Sequence, residues 1–314
     1  MKHVKLITLL LEAGLAACSS DDGTETPPAP RSMTVEVTEN PFIDSETGSR
    51  ISLSPLRKAD ATTTSSLNDF SMSYFYKDNL YKYDFTKTNG TWGPTSYIWP
   101  GVEGVDDDTS IDFYAYTGNI GYIAEQNKWI FHYESTNPYI SFSVDENAFN
   151  QHDLLVAQKQ TSFKVSKGKV SLEFDHACAA VQFNVQITNT LTGVGYLNGQ
   201  SLTVNKIRLM NVIKEGDYYY ETNSWTPSSK TTDYTDYTLT KGPLTVTTTP
   251  MRLPCDYLFL IPQARPADGT TGTYLEVTYT TSSEKTANIP LSIDWKAGFL
   301  YTINIKLGTT YIVL

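Results

Sequence analysis

Apolar and polar residues alternate along most of this chain. Val170-Ser171-Leu172-Glu173-Phe174 alternates, as do the runs Val181 to Ile187, Leu275 to Tyr279 and Tyr301 to Leu307. A period of two puts every second side chain on the same face, so each run predicts a strand with one face in a core and the other in water. Turn signals separate the runs: Asn89-Gly90, Asn198-Gly199, Glu215-Gly216-Asp217 and Asp268-Gly269. Helical spacing is scarce, and helix is expected only in short pieces such as Asp145 to Phe149. Many short strands with regular turns predict an all-β fold built of sandwiches. The strands form two groups, from about Ser71 to Ile187 and from about Leu202 to Leu307. Between them Thr188 to Gln200 is rich in Thr, Gly and Asn, which places a boundary near residue 190. Two domains are expected, over 33–190 and 191–314, in keeping with a usual size of roughly 100–200 residues.

The N-terminus follows another pattern. Lys2 and Lys5 precede the mostly apolar Leu6 to Leu11 and the small, apolar Ala13 to Ala17. Residues 1–17 thus have the layout of a secretory signal peptide, too short to remain as a membrane span. Leu15-Ala16-Ala17-Cys18 resembles the bacterial lipobox, in which small residues fit the signal peptidase and the thiol accepts lipid. Cys18 is therefore the candidate lipidation site, and its acyl chains would tether the protein to a membrane at about 0.8 kcal/mol per buried CH₂. The rival is a plain secretory signal with a chance cysteine, and Glu12 puts a charge where an export signal wants none. Ser19-Ser20-Asp21-Asp22 resembles the acidic stretch of surface-exported lipoproteins in Bacteroidetes, an ordinary polar tether being the alternative. Residues 18–32, with three prolines and no apolar period, are expected to be a disordered linker.

Composition narrows the chemistry. The formal net charge is −10, and loss of Lys2, Lys5 and Glu12 with the signal leaves the rest slightly more acidic. Such a chain repels nucleic acid. With Cys18 lipidated, Cys178 and Cys255 remain, enough for one disulfide but not for a disulfide scaffold. The motifs G-x-S-x-G, H-E-x-x-H, G-x-G-x-x-G and the P-loop are missing, so neither an enzyme nor a cofactor is expected. His176 and Cys178 would share a strand face, yet the sequence marks no third group to orient them, and a buried thiol beside a hydrogen-bonded histidine is the plainer reading. Asp106-Asp107-Asp108 with Asp112 could offer oxygen ligands to Ca²⁺, but the spacing is not that of an EF-hand, and an acidic loop is expected. Asp233 and Asp236 offer no better set.

Aromatic residues are the more informative feature. Tyr74, Phe75, Tyr76, Tyr81, Tyr83 and Phe85 crowd one hairpin, and Trp92, Tyr97 and Trp99 follow. Tyr218-Tyr219-Tyr220 and Trp225 form a second cluster, in which at least one tyrosine must face outward. Exposed rings stack on sugars or anchor protein partners, whereas cross-strand pairs inside a sandwich are the commoner explanation. Trp92, Trp99 and Tyr219 are the candidate contacts for a host or bacterial surface ligand.

Several phrases, taken in order, resemble the fimbrillin family of Bacteroidales, the subunits of type V pili. After the lipobox come Leu67-Asn68-Asp69-Phe70-Ser71-Met72-Ser73-Tyr74, then Tyr97-Ile98-Trp99-Pro100 followed by Ile111-Asp112-Phe113-Tyr114-Ala115-Tyr116. Asp153-Leu154-Leu155-Val156-Ala157 and Phe174-Asp175-His176-Ala177-Cys178-Ala179 are similar to two further family phrases. Leu258-Phe259-Leu260-Ile261-Pro262-Gln263 and Trp295-Lys296-Ala297-Gly298-Phe299-Leu300-Tyr301 complete the series, which covers nearly all of the chain after the signal.

The resemblance implies two tandem transthyretin-like β-sandwiches and export as an outer-membrane lipoprotein. It also implies that an arginine-specific protease removes an N-terminal strand, and that a strand from another fimbrial subunit fills the groove left behind. Main-chain hydrogen bonds and alternate side chains would hold that strand. Arg57 is the first candidate cut site, because the polar Lys58 to Ser66 follows it, with Arg50 and Arg31 as the others. Met33 to Val37 and Ile51 to Leu53 are the candidate released strands. Only Gly308 to Leu314 follows the last family phrase's strand, a short tail for a stalk subunit that donates a strand and more fitting for a tip or accessory subunit. The alternative is a surface lipoprotein that does not polymerise and binds carbohydrate or protein through its aromatics.

Overall fold

The computed structural model describes residues 31–51, 67–77, 79–93, 97–101, 105–117, 131–133, 137–187, 201–230, 234–264, 272–280, 283–307 and 312–313. The signal segment, Cys18, most of the linker, Arg57, Asp233, the expected boundary near 190 and the turns at Asn198-Gly199 and Asp268-Gly269 lie outside these residues. The described chain is an all-β sandwich protein with one short helix, α1 (Phe163–Ser166). It divides into two compact units. The first comprises 1–40, 67–119 and 156–174, and the second 41–66, 120–155 and 175–314. Among the described residues, no helix is long and apolar enough to cross a membrane.

Alternation builds the strands as expected. Lys169–His176 alternates exposed and buried along its whole length, and Tyr274–Thr280 alternates half-buried and buried. Three strands at the start matter most: β1 (Ser32–Glu39), β2 (Phe42–Asp44) and β3 (Arg50–Ile51). In the first unit the strand order is Thr91–Gly93, Asn79–Thr88, Asp69–Tyr76, Ile111–Thr117, Leu155–Thr161, Lys169–His176, β1 and Tyr97–Ile98. Asn89-Gly90 makes the hairpin turn the sequence predicts. Both residues have positive φ (52° and 82°), the twist that two-residue hairpins require.

In the second unit Ala179–Ile187 and Phe299–Leu307 pair in parallel from Ala180↔Leu300 to Ile187↔Leu307. Ser201–Ile213 and Tyr274–Thr280 form the heart of another sheet. Val181, Phe183, Val185, Ile303 and Ile305 from the first pair share one core with Val204, Leu209, Leu275 and Val277 from the second.

Two local expectations change. Asp145 to Phe149 holds bends and turns instead of a helix. The Asp145 carboxylate accepts the Asn147 N–H at 2.7 Å, and the Asn147 amide oxygen accepts the Phe149 N–H at 3.0 Å. Such side-chain bonds compete with helical ones. The actual helix starts where Ser162 caps the Val165 N–H and ends at Lys167 in the left-handed region. Glu215-Gly216-Asp217 is strand, not turn. Gly216 is there because a Cβ would come within 3.0 Å of the Thr226 carbonyl oxygen on the neighbouring strand.

The shared core of the second unit should dominate its stability. Phe183 is fully buried. Phe183→Ala should cost about 3–5 kcal/mol in urea unfolding. A loss below about 1 kcal/mol would show that this core is packed differently.

Candidate functional site

The N-terminal strands carry the site. β1 lies parallel to Lys169–His176 in the register Thr34↔Lys169 through Glu39↔Phe174, and its first residues pair antiparallel with Tyr97 and Ile98. Backbone bonds at both ends of the strand, Thr34 N–H to Gly168 O and Asn40 N–H to Phe174 O, are 2.8 Å long. The chain approaches so closely that a Cβ on Gly168 would lie 2.4 Å from the Ser32 carbonyl oxygen, and φ there is +86°. Only glycine satisfies both conditions. Met33 is buried, Val35 and Val37 are half-buried, and Ser32, Thr34, Glu36 and Thr38 point to solvent. The strand is thus amphipathic and is held chiefly by its backbone.

The three candidate arginines differ sharply in setting. Arg31 is buried in an ion pair with Asp107, and its guanidinium also donates to the Pro100 carbonyl oxygen at 2.7 Å. Arg50 is exposed at the end of the hairpin that joins β2 to β3. That hairpin turns on Asp44, whose carboxylate accepts the Thr47 N–H (2.7 Å), the Thr47 hydroxyl (2.9 Å) and the Glu46 N–H (3.0 Å). These bonds, the Thr47 amide first, hold the Asp44 carboxyl below its ordinary value. Arg57 lies outside the described residues.

β2 runs parallel to the start of Phe299–Leu307, with Ile43 N–H bonded to Gly298 O and Ser45 N–H to Leu300 O. Phe42 is fully buried and stacks on the His176 ring at 3.6 Å between centroids. Beneath it His176 donates its Nδ1–H to Asp153 at 2.5 Å, with both side chains 3% exposed. Asp153 is the third group that the sequence did not reveal beside His176 and Cys178. The constellation is nonetheless sealed. Burial, and then the neighbouring Asp153 charge, push the Cys178 thiol well above its ordinary value, so little nucleophilic thiolate forms. Burial also raises the Asp153 carboxyl, opposed by His176. Cys178 and Cys255 are both buried thiols, not joined in a disulfide.

A second arrangement resembles a hydrolytic triad but has the wrong order. Ser141 Oγ donates to Asp217 at 2.7 Å and lies 3.1 Å from His132 Nε2. A carboxylate accepts only, so the single hydroxyl proton is committed to Asp217 and His132 must donate to the serine oxygen. A nucleophilic serine needs the histidine as its acceptor. The acidic run is also engaged: Asp106 pairs with Lys77 at 3.4 Å, Asp107 with Arg31 and Asp108 with Lys164 at 2.9 Å. Asp112 accepts from Gln160, and Asp236 from the Asn211 N–H. Among the described residues, no three His, Cys, Asp or Glu side chains are placed to hold a metal ion.

The aromatic candidates separate as well. Trp99 is 1% exposed and packs on Phe113 and Phe163, so no partner can reach it. Trp92 is half-buried against Phe70, with the Lys87 ammonium over its ring. Tyr218 and Tyr220 are buried, and Tyr219 is the tyrosine of the three that faces outward. It follows Tyr139 and His132 in a row across three strands. His132 and Tyr139 stack face to face at 4.4 Å, an arrangement that turns ring edges, not faces, toward a ligand.

Several quoted phrases turn out to be locks of the fold. Asp153 and His176 belong to two of them. Gln263 accepts the Ile213 N–H and donates to the Ile213 carbonyl, closing a buried strand end as a peptide group would. The Tyr301 hydroxyl accepts the Lys296 N–H and donates to the Asp294 carbonyl, both at 3.0 Å, with Trp295 edge-on to its ring and Gly298 (φ +73°) between them.

The sealed thiols give a direct check. Cys178 and Cys255 should resist a maleimide at neutral pH and react quickly once urea unfolds the protein. Fast labelling of native Cys178 would show that Phe42 and its neighbours do not close that pocket.

Comparisons with known proteins agree with this architecture. No curated protein matches the chain. A fimbrial protein from Bacteroides vulgatus has a similar structure, with a TM-score of 0.54, 18% identity, and coverage of 90% of this chain and 97% of that one. A Bacteroides ovatus protein assigned to cell adhesion gives a TM-score of 0.50 at 14% identity, covering 91% and 95%. At such identities the likeness is one of fold. The profile of the fimbrillin-like family matches residues 38–314, and the chain belongs to that family.

Proposed function

We propose that this protein is a non-enzymatic surface adhesion subunit of a fimbria, exported as a lipoprotein through Cys18 and assembled by strand exchange at the site of β1. The observation that carries this reading is β1 itself. It is a separate amphipathic strand, added in parallel to Lys169–His176 by backbone bonds. Its loss would leave the Lys169–Phe174 edge unpaired and the place of Met33 empty, an apolar groove with free main-chain groups. An extended strand of another subunit meets both needs.

Cleavage after Arg57 remains the first choice, with exposed Arg50 next. Arg31 is the least suited, since a protease needs an accessible, extended segment and Arg31 is enclosed. In the same reading the lipid on Cys18 serves transit and leaves with β1 when the cut is made. Among the aromatic residues Tyr219, and to a lesser degree Trp92, remain able to meet a surface ligand, and Trp99 does not.

Limited digestion of the purified protein with an arginine-specific protease tests the mechanism. The expected result is an early cut between Arg50 and Leu67, with the β1 fragment leaving only as a strand of another subunit takes its place and SDS-resistant multimers form. A protein that stays monomeric with β1 attached and protected contradicts strand exchange.

A further inference from the structure

The start of β1 is fastened in a way that simple backbone pairing does not require. The Arg31 guanidinium pairs with Asp107, donates to the Pro100 carbonyl oxygen at 2.7 Å and lies over the Phe163 ring at 4.6 Å. The Arg31 carbonyl oxygen accepts the Trp99 N–H at 2.7 Å. The Arg31 side chain is 4% exposed. The pocket wall is tight, because a Cβ on Gly101 would stand 2.9 Å from the guanidinium. Asp107 is itself held on both sides. Its carbonyl oxygen accepts the Lys164 N–H of α1, and its neighbours Asp106 and Asp108 pair with Lys77 and Lys164. The Asp107 side chain is 33% exposed, so the enclosed partner is the guanidinium; removing Asp107 leaves that buried charge without its carboxylate, and such losses appear mainly in the dissociation rate.

Farther along β1 the ion pairing is exposed. The Glu36–Lys169 pair is about half exposed on each side, and pairs of that kind contribute little. Thr38 and Glu39 sit opposite Glu173 and Phe174, at the end from which the chain runs on through β2 toward the cut.

We propose that Arg31 and Asp107 lock β1 in place, so that a cut beyond Arg50 does not by itself empty the groove. An incoming strand then enters at the Phe174 end and displaces β1 toward Arg31, where the lock opens last. The role in assembly rests on the strand-exchange reading above; the lock itself is a property of the uncut chain. It also gives Arg31 a retaining function in place of the cut site that its residue type suggests.

Two measurements test this. In the cut protein, native mass spectrometry follows the lifetime of the β1 fragment on the remainder. The wild-type fragment should stay bound, while Asp107→Asn and Arg31→Gln should each shorten its lifetime about tenfold or more. Asp108→Asn should leave it unchanged, since that pair is exposed on both sides, at 63% and 73%. In the uncut protein, hydrogen exchange at Thr34 to Glu39 should speed up in Asp107→Asn, with Phe70 to Tyr74 still protected as proof that the unit is folded. A fragment that leaves wild type as fast as Asp107→Asn, or β1 exchange that does not change, overturns the lock. Absence of any cut between Arg50 and Leu67 would sink strand exchange alone, because the exchange measurement still decides the lock.

Discussion

β1 lies parallel to Lys169–His176, and β2 lies parallel to Phe299–Leu307. Parallel neighbours cannot be joined by a tight turn, so each pairing links segments far apart in the chain. The N-terminal segment is therefore an addition to sheets whose other strands come mostly from later sequence. It contributes one strand to the first unit and a hairpin to the second. Main-chain bonds and a few inward side chains, Met33 in one case and Phe42 in the other, hold it there. A strand attached in that way is replaceable by another strand with the same period, which makes the proposed assembly physically reasonable.

The polar clusters described above tie elements of the fold together. His176 and Asp153 look like parts of a reactive site, yet Phe42 covers the imidazole and burial keeps the Cys178 thiol protonated. Ser141, His132 and Asp217 meet, yet the serine proton points at the carboxylate. The three aspartates at 106–108 are spent on Lys77, Arg31 and Lys164. Each cluster fastens elements together. The phrases that relate this chain to its family are of the same kind, as Gln263 and Tyr301 show.

Much of the fold was legible because period two depends only on neighbours in sequence. Lys169–His176, Ala179–Ile187 and Tyr274–Thr280 needed nothing more. Asn89-Gly90 was legible for the same reason, since its turn is set by two adjacent residues. What the sequence concealed depends on distant partners. Gly216 looks like a turn residue until Thr226 is seen against it. Trp99 looks like a ligand contact until Phe113 and Phe163 enclose it. Arg31 looks like an ordinary exposed arginine until its pairing with Asp107 and its burial are seen. Asp153 carries no sign that it faces His176, although both stand in quoted family phrases.

The central claim is that β1 and Cys18 before it are absent from the assembled form. Mass spectrometry of the protein from fibres sheared off the cell surface gives its true N-terminus. The account predicts a start just after Arg50 or Arg57, with no lipid and no residue of β1. A chain that begins at acylated Cys18 in those fibres would contradict it.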